Sequence, residues 1–248
     1  MSADARILWR ANASRSDWSG GEPLRRVLAG AAHLGLIGPP NRVEPAPKKN
    51  PRRLVGVAPG DELAEAILAA ARREGRGAAV TVGGDDPAPW ELYWNLYPFD
   101  RESGWVDGLN NLSLWFDRSR VTGPAASDAL IETFFDACVG CGIEHAMIHP
   151  WRHSKLFAYE HYEPPVTNSL QFYGVYWANF LGPGHIEEFD LSRLRDLDAR
   201  EVRWDGDKGL LVVATPDVAT ADAPEAEPVL LRLNERFRAA LRPDARWR

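Results

Sequence analysis

The chain has 248 residues, 45% hydrophobic and 26% charged, with a net charge of −6, the balance of a globular protein with room for a sizeable core. No apolar run approaches the roughly 18–20 residues of a membrane helix, Met1–Arg15 holds no apolar stretch of the export-signal kind, and Cys138 and Cys141 alone make no disulfide framework, so a cytoplasmic location is expected. Residues 1–60 carry ten Arg/Lys against four Asp/Glu, net +6, which leaves −12 for the remainder; the largest basic cluster (Lys48, Lys49, Arg52, Arg53) falls in a proline-rich stretch, so neither nucleic acid nor a membrane is an expected partner.

The first expected element is a short strand over Ile7–Ala13. Pro23 then opens a helix whose Leu24, Val27, Leu28 and Ala31 share one face, and Gly35, Gly38, Pro39 and Pro40 end it. From there to Arg53 the sequence lacks periodicity and reads as a loop, with a short extension at Leu54–Val57. Asp61 is the expected N-cap of a second helix with Leu63, Ala66, Ile67 and Ala70 inward. Ala78–Val82 reads as a strand, Gly83–Pro87 as a turn, and Trp90–Phe99 and Asn110–Phe116 as strands joined by a long hairpin loop over Asp100–Leu109. In the last of these strands Leu112, Leu114 and Phe116 alternate with Ser113 and Trp115.

The clearest helix starts near Pro124, with Ser127 or Asp128 as its cap and Leu130, Ile131, Phe134, Phe135 and Cys138 along one side. A strand over Ile143–Ile148 follows, then an irregular stretch from Pro150 to Asn168 and an apolar strand over Leu170–Leu181. Gly182-Pro183-Gly184 breaks that strand before a short helix over Ile186–Leu197. Glu201–Trp204 and Gly209–Ala214 make a hairpin around Asp205-Gly206-Asp207. Pro216–Pro228 reads as a linker, and Leu230, Leu233, Phe237 and Leu241 mark a last amphipathic helix. Interleaved helices and hairpin-joined strands predict an α+β fold, a mixed and largely antiparallel sheet with helices packed on it, in one domain over residues 1–248 with a conceivable subdivision near 120.

Signatures of catalysis are sparse. The sequence has no G-x-S-x-G, no G-x-x-x-x-G-K-[ST], no G-x-G-x-x-G after a strand and no H-E-x-x-H. Adjacent acids such as Glu187 and Glu188 point apart on a helix. The one metal-like constellation is Cys138-x-x-Cys141 followed by His145, His149 and His153, since thiolate and imidazole are zinc's preferred ligands. Against it, Cys138 falls on the apolar stripe of its helix, and His145 and His149 would stand about 13 Å apart along a strand. A redox role is disfavoured because the pair lies at a helix end, not at the start, where the dipole lowers a thiol pKa. A zinc-dependent enzyme or zinc-stabilised protein is the alternative reading; no cofactor is expected.

Aromatic content is the outstanding signal: ten tryptophans, with Trp90, Trp94, Trp105 and Trp115 crowded beside Asp100, Glu102 and Asp107. Trp, Tyr and Arg dominate binding hot spots because they bury large area at low entropy cost. Trp94, Trp115 and Trp177 are expected in the core. Trp105 lies in loop sequence and is as well suited to an interface, and the irregular segment Trp151–Tyr162, with Trp151, Arg152, Tyr159, Glu160 and Tyr162, has a similar mixture.

Gly174–Pro183, a Trp-containing strand ending in Phe-Leu-Gly, followed by a short helix and the apolar run Gly209–Thr215, resembles the C-terminal half of bacterial immunity proteins of type VI secretion and other polymorphic toxin systems. Leu8-Trp9-Arg10 and the strand Asn111–Arg118 are similar in kind. The proline-rich loop and the Cys/His segment depart from that pattern. The resemblance implies an α+β fold and one-to-one binding of a cognate toxin effector, a nuclease in some relatives, with no catalytic residue and no cofactor. The expected toxin-binding surface combines Asp100, Glu102, Trp105 and Asp107 with Trp151, Arg152, Tyr159, Glu160 and Tyr162.

Overall fold

Residue alternation within the strands sets the architecture. In β1 (Arg6–Ala13), Ile7, Trp9, Ala11 and Ala13 point to one side and are fully buried; the partner strand β8 (Asn110–Asp117) sends Leu112, Leu114 and Phe116 the same way. The computed structural model describes residues 5–13, 15–45, 52–74, 78–84, 89–97, 99–103, 105–106, 110–151 and 175–243. The other strands are β2 (Arg42–Pro45), β3 (Arg52–Arg53), β4 (Ala78–Gly84), β5 (Trp90–Leu96), β6 (Phe99–Asp100), β7 (Trp105–Val106), β9 (His145–Pro150), β10 (Ala178–Leu181), β11 (Glu201–Trp204) and β12 (Leu210–Val213). The helices are α1 (Glu22–His33), α2 (Asp61–Glu74), α3 (Pro124–Gly140), α4 (Pro183–Ile186) and α5 (Glu227–Ala240).

Ten strands form one sheet in the order β11-β12-β10-β9-β1-β8-β5-β4-β2-β3. Every described pairing is antiparallel, so the expected mixed sheet is antiparallel throughout these residues. β1 is central and pairs β8 on one side and β9 on the other, so the sheet runs unbroken across the chain's midpoint.

Helices α1, α2 and α3 cover one face. α1 buries Leu24, Val27, Leu28 and Ala31, and α3 buries Leu130, Ile131, Phe134 and Cys138, as their spacing predicts. Trp9 meets Phe134 edge-on at 5.7 Å, and Trp18 stacks on Trp94 at 5.4 Å and 15°. The opposite face is covered at the C-terminal end, where α4, the 3-10 turn Leu191–Leu194 and α5 make a second core. β12 shows both layers: Leu211 and Val213 face the first core, Leu210 and Val212 the second. That is why this strand is a continuous apolar run.

Several sequence expectations shift. The stretch before Arg53 contains β2 and β3, which the proline-rich composition hid, and the extension expected at Leu54–Val57 sits at Arg52–Arg53. Gly83 and Gly84 extend β4 rather than turning it; a Cβ on Gly84 would lie 2.5 Å from the Pro39 carbonyl oxygen, so glycine serves close approach there. Gly123, not Ser127 or Asp128, precedes α3. Ile186–Leu197 is not one helix but α4 and a 3-10 turn. The strand expected from Leu170 is described only at Ala178–Leu181, and Leu170–Gly174 lie outside the described residues. Pro216–Pro228 is packed rather than a free linker, with Val218, Ala221 and Ala226 buried. Leu241 follows α5 and bridges Phe189. Trp94 and Trp177 are fully buried, whereas Trp115 is half-buried. Among the described residues no helix is long and apolar enough to cross a membrane.

Candidate binding surfaces

The strand register gives the molecule two ends. At one, β1 finishes and β8 begins, with Ala13 opposite Asn110 and Asn12 opposite His145. At the other, Arg6 is opposite Asp117 and Ile7 opposite Pro150.

The acidic aromatic loop emerges at the first end and folds on itself. β6 and β7 form a separate two-stranded sheet, pairing Phe99 with Val106 and Asp100 with Trp105. The Asp100 carboxylate accepts from the Glu102 N–H at 2.9 Å. That bond, with help from Ser103, holds the carboxyl below its usual pKa, so Asp100 stays charged while one oxygen closes its own turn. Arg101, Glu102 and Ser103 are exposed at the tip. The base is pinned: the Tyr97 N–H donates to Asn110 Oδ1 at 2.8 Å, and Asn110 Nδ2 donates to the Ser16 carbonyl at 3.2 Å. Asn110 is fully buried, so this tie orients the hairpin against the loop after β1. The backbone of Trp105 is in β7, and Asp107 lies outside the described residues.

Trp151 leaves β9 at the opposite end. Its ring meets Trp115 edge-on at 5.5 Å and 86°, beside the buried Leu8, Met147 and Tyr176. Arg152, His153, Tyr159, Glu160 and Tyr162 lie outside the described residues. Six strand residues separate the two starting points, about 20 Å along the sheet. The described parts of the two loops are therefore not brought together.

The cysteines and histidines are divided by the sheet. Cys138 belongs to the core under α1–α3, where burial pushes its thiol well up; burial also raises Cys141 to about 11. In β9, Ala146 and Ile148 face that core, so His145 and His149 face the other way. His149 Nδ1 accepts the Trp177 N–H at 2.9 Å, a structural role. His145 is buried, its pKa lowered to about 4 by desolvation and then by Arg10, and it stacks on His185 at 5.5 Å. Among the described residues no three His, Cys, Asp or Glu side chains are placed to hold a metal ion. Cys138 and Cys141 therefore lie on the opposite side of the sheet from His145 and His149, and His153, the remaining member of that constellation, lies outside the described residues.

Sequence reasoning missed a polar ladder across the far face of the central strands. Arg10 Nε donates to Ser113 Oγ at 3.1 Å, Ser113 Oγ to Asn111 Oδ1 at 3.1 Å, and Asn111 Nδ2 to Asn12 Oδ1 at 2.5 Å. Its signal was present: Arg10 and Asn12 alternate with apolar residues in β1, as Asn111 and Ser113 do in β8.

No family model matches the chain, and no curated protein matches it. Among solved structures, the Pseudomonas aeruginosa T6SS protein PA0821 matches with a TM-score of 0.61 at 11% identity, covering 95% of this chain and 73% of that one. At that identity the likeness is one of fold.

Proposed function

We propose that this chain is an immunity protein that acts in the cytoplasm by binding a cognate secreted toxin one-to-one and occluding it, without catalysis. The observation that carries the reading is the fold likeness to a T6SS protein over 95% of the chain, which agrees with the resemblance in Gly174–Pro183 and Gly209–Thr215. Support comes also from the β6–β7 hairpin, which presents Glu102 and the charged Asp100 on a braced projection. An acidic projection suits a basic partner such as a nuclease, since complementary charge speeds encounter and fixes orientation.

Titration calorimetry against the product of the adjacent gene tests this reading. Wild type should bind with one-to-one stoichiometry. A Glu102→Lys/Trp105→Ala variant should fold normally and bind at least about tenfold more weakly, as loss of an interface anchor does. No binding by wild type would contradict the reading; tight binding by the variant would remove the hairpin from the interface.

A further inference from the structure

β11 ends the strand order on the C-terminal side of the sheet. Its inner edge is taken by β12, from Glu201 opposite Val213 to Trp204 opposite Leu210. Beyond it the Asp205 N–H donates to the Gly209 carbonyl at 3.1 Å, which sets the phase of the ladder. Hydrogen bonding alternates along an antiparallel strand. Glu201 and Arg203 therefore bond inward, and the N–H and C=O of Val202 and Trp204 face out. Among the described residues no strand pairs with that outer edge.

Exposed edges are commonly guarded by a lysine, a proline or an inward-pointing charge. Here the obvious guard is engaged elsewhere. Arg203 is held bidentately by Glu132 of α3, also bonds Glu201, and lies over the Phe135 ring at 4.9 Å. Val202 and Trp204 are half-buried against the C-terminal core, so the strand is fixed from both faces. Around it stand Asp128, Glu132, Asp198, Glu201, Asp205 and Asp207. Five of these carboxylates have ion pairs among the described residues: Asp128 with Arg200, Glu132 and Glu201 with Arg203, Asp205 with Lys208, and Asp198 with Arg232. Asp198 is still 89% exposed. A second copy pairing edge to edge would set two such acidic frames against each other, whereas a basic segment would be drawn in.

We infer that β11 is a docking edge, to which an extended, basic segment of the partner protein adds as a further strand through the main-chain groups of Val202 and Trp204. This rests on the reading of the chain as a toxin-binding protein and adds a main-chain contact to the one proposed for the β6–β7 hairpin.

Val202→Pro tests it sharply. Proline is compatible with an edge strand when the lost N–H faces outward, so the inward bonds of Glu201 and Arg203 to β12 persist. The variant should keep the wild-type unfolding midpoint and bind the cognate toxin about tenfold or more weakly, the scale of a lost interface hydrogen bond with its disturbed neighbours. Asp198→Lys/Asp207→Lys, which alters exposed side chains alone, should slow association at low salt. A folded Val202→Pro protein with wild-type affinity overturns the inference while leaving the immunity reading standing. If Val202→Pro does not fold, unchanged association by the Asp198→Lys/Asp207→Lys protein overturns it. A wild-type dimer abolished by Val202→Pro assigns the edge to a second copy and also overturns it. Absence of any wild-type complex fails the immunity reading itself, and the inference with it.

Discussion

Gly182 shows how a single atom can be excluded by backbone. A Cβ there would lie 2.3 Å from the Ile143 carbonyl oxygen and 3.1 Å from that of Glu144. Neither can swing aside as a side chain would. Gly182→Ala should therefore cost about 1–3 kcal/mol, read as a lower denaturant midpoint at unchanged slope. Trp9 is the opposite case, a large ring with no exposure packed edge-on to Phe134; Trp9→Ala should cost about 3–5 kcal/mol by the same measurement. His145 gives the pH dependence. Burial, then Arg10, lowers its imidazole from 6.5 to about 4. The unfolded chain binds the proton near 6.5 and the folded protein does not until about 4. Its contribution is therefore full above pH 6.5 and lost as pH falls toward 4, by roughly 3 kcal/mol at the limit. His145→Gln removes that titration, so stability measured across pH 4.5–7 should fall less steeply than in wild type.

At the scale of elements, the C-terminal segment is clamped to α3 by one carboxylate. Asp217 accepts from the Gly123 N–H at 3.2 Å, from Ser127 Oγ at 3.2 Å and from the Ala219 N–H at 2.9 Å. Asp217→Ala strands those donors and should cost about 1–3 kcal/mol, with amide exchange near Val218–Thr220 rising more than in β1. Nothing in local sequence reveals this clamp, because Ser127 and Asp217 are 90 positions apart; the hydroxyl that looked like a helix cap is used in a tertiary contact. Long periodic segments were legible: α1, α3, β1 and β8 stand where alternation and 3.6-residue spacing put them, and the β11–β12 hairpin stands where its Asp-Gly turn put it. β2 and β3 were not, because strands of four and two residues in proline-rich sequence carry too little alternation to register. The split of Ile186–Leu197 into two turns follows from Pro183 opening α4 and from the Asp190 carboxylate capping a separate 3-10 turn through Ser192.

For the whole molecule, one antiparallel sheet carries three helices on one face and a smaller C-terminal core on the other. The hairpin at Asp100–Trp105 was legible as a loop rich in aromatic and acidic residues, and its self-bonded turn was not, since the Asp100–Glu102 contact depends on backbone closure. That its base and Trp151 sit at opposite ends of the strands follows from register, which local sequence does not encode. The central claim is neutralisation by contact, and growth measures it most directly. The product of the adjacent gene would be expressed in a sensitive bacterium with and without this chain. Survival restored by the wild-type chain, with both proteins recovered as a one-to-one complex, is the expected result. Cells that die equally in both cultures, although the chain is folded and abundant, would contradict it.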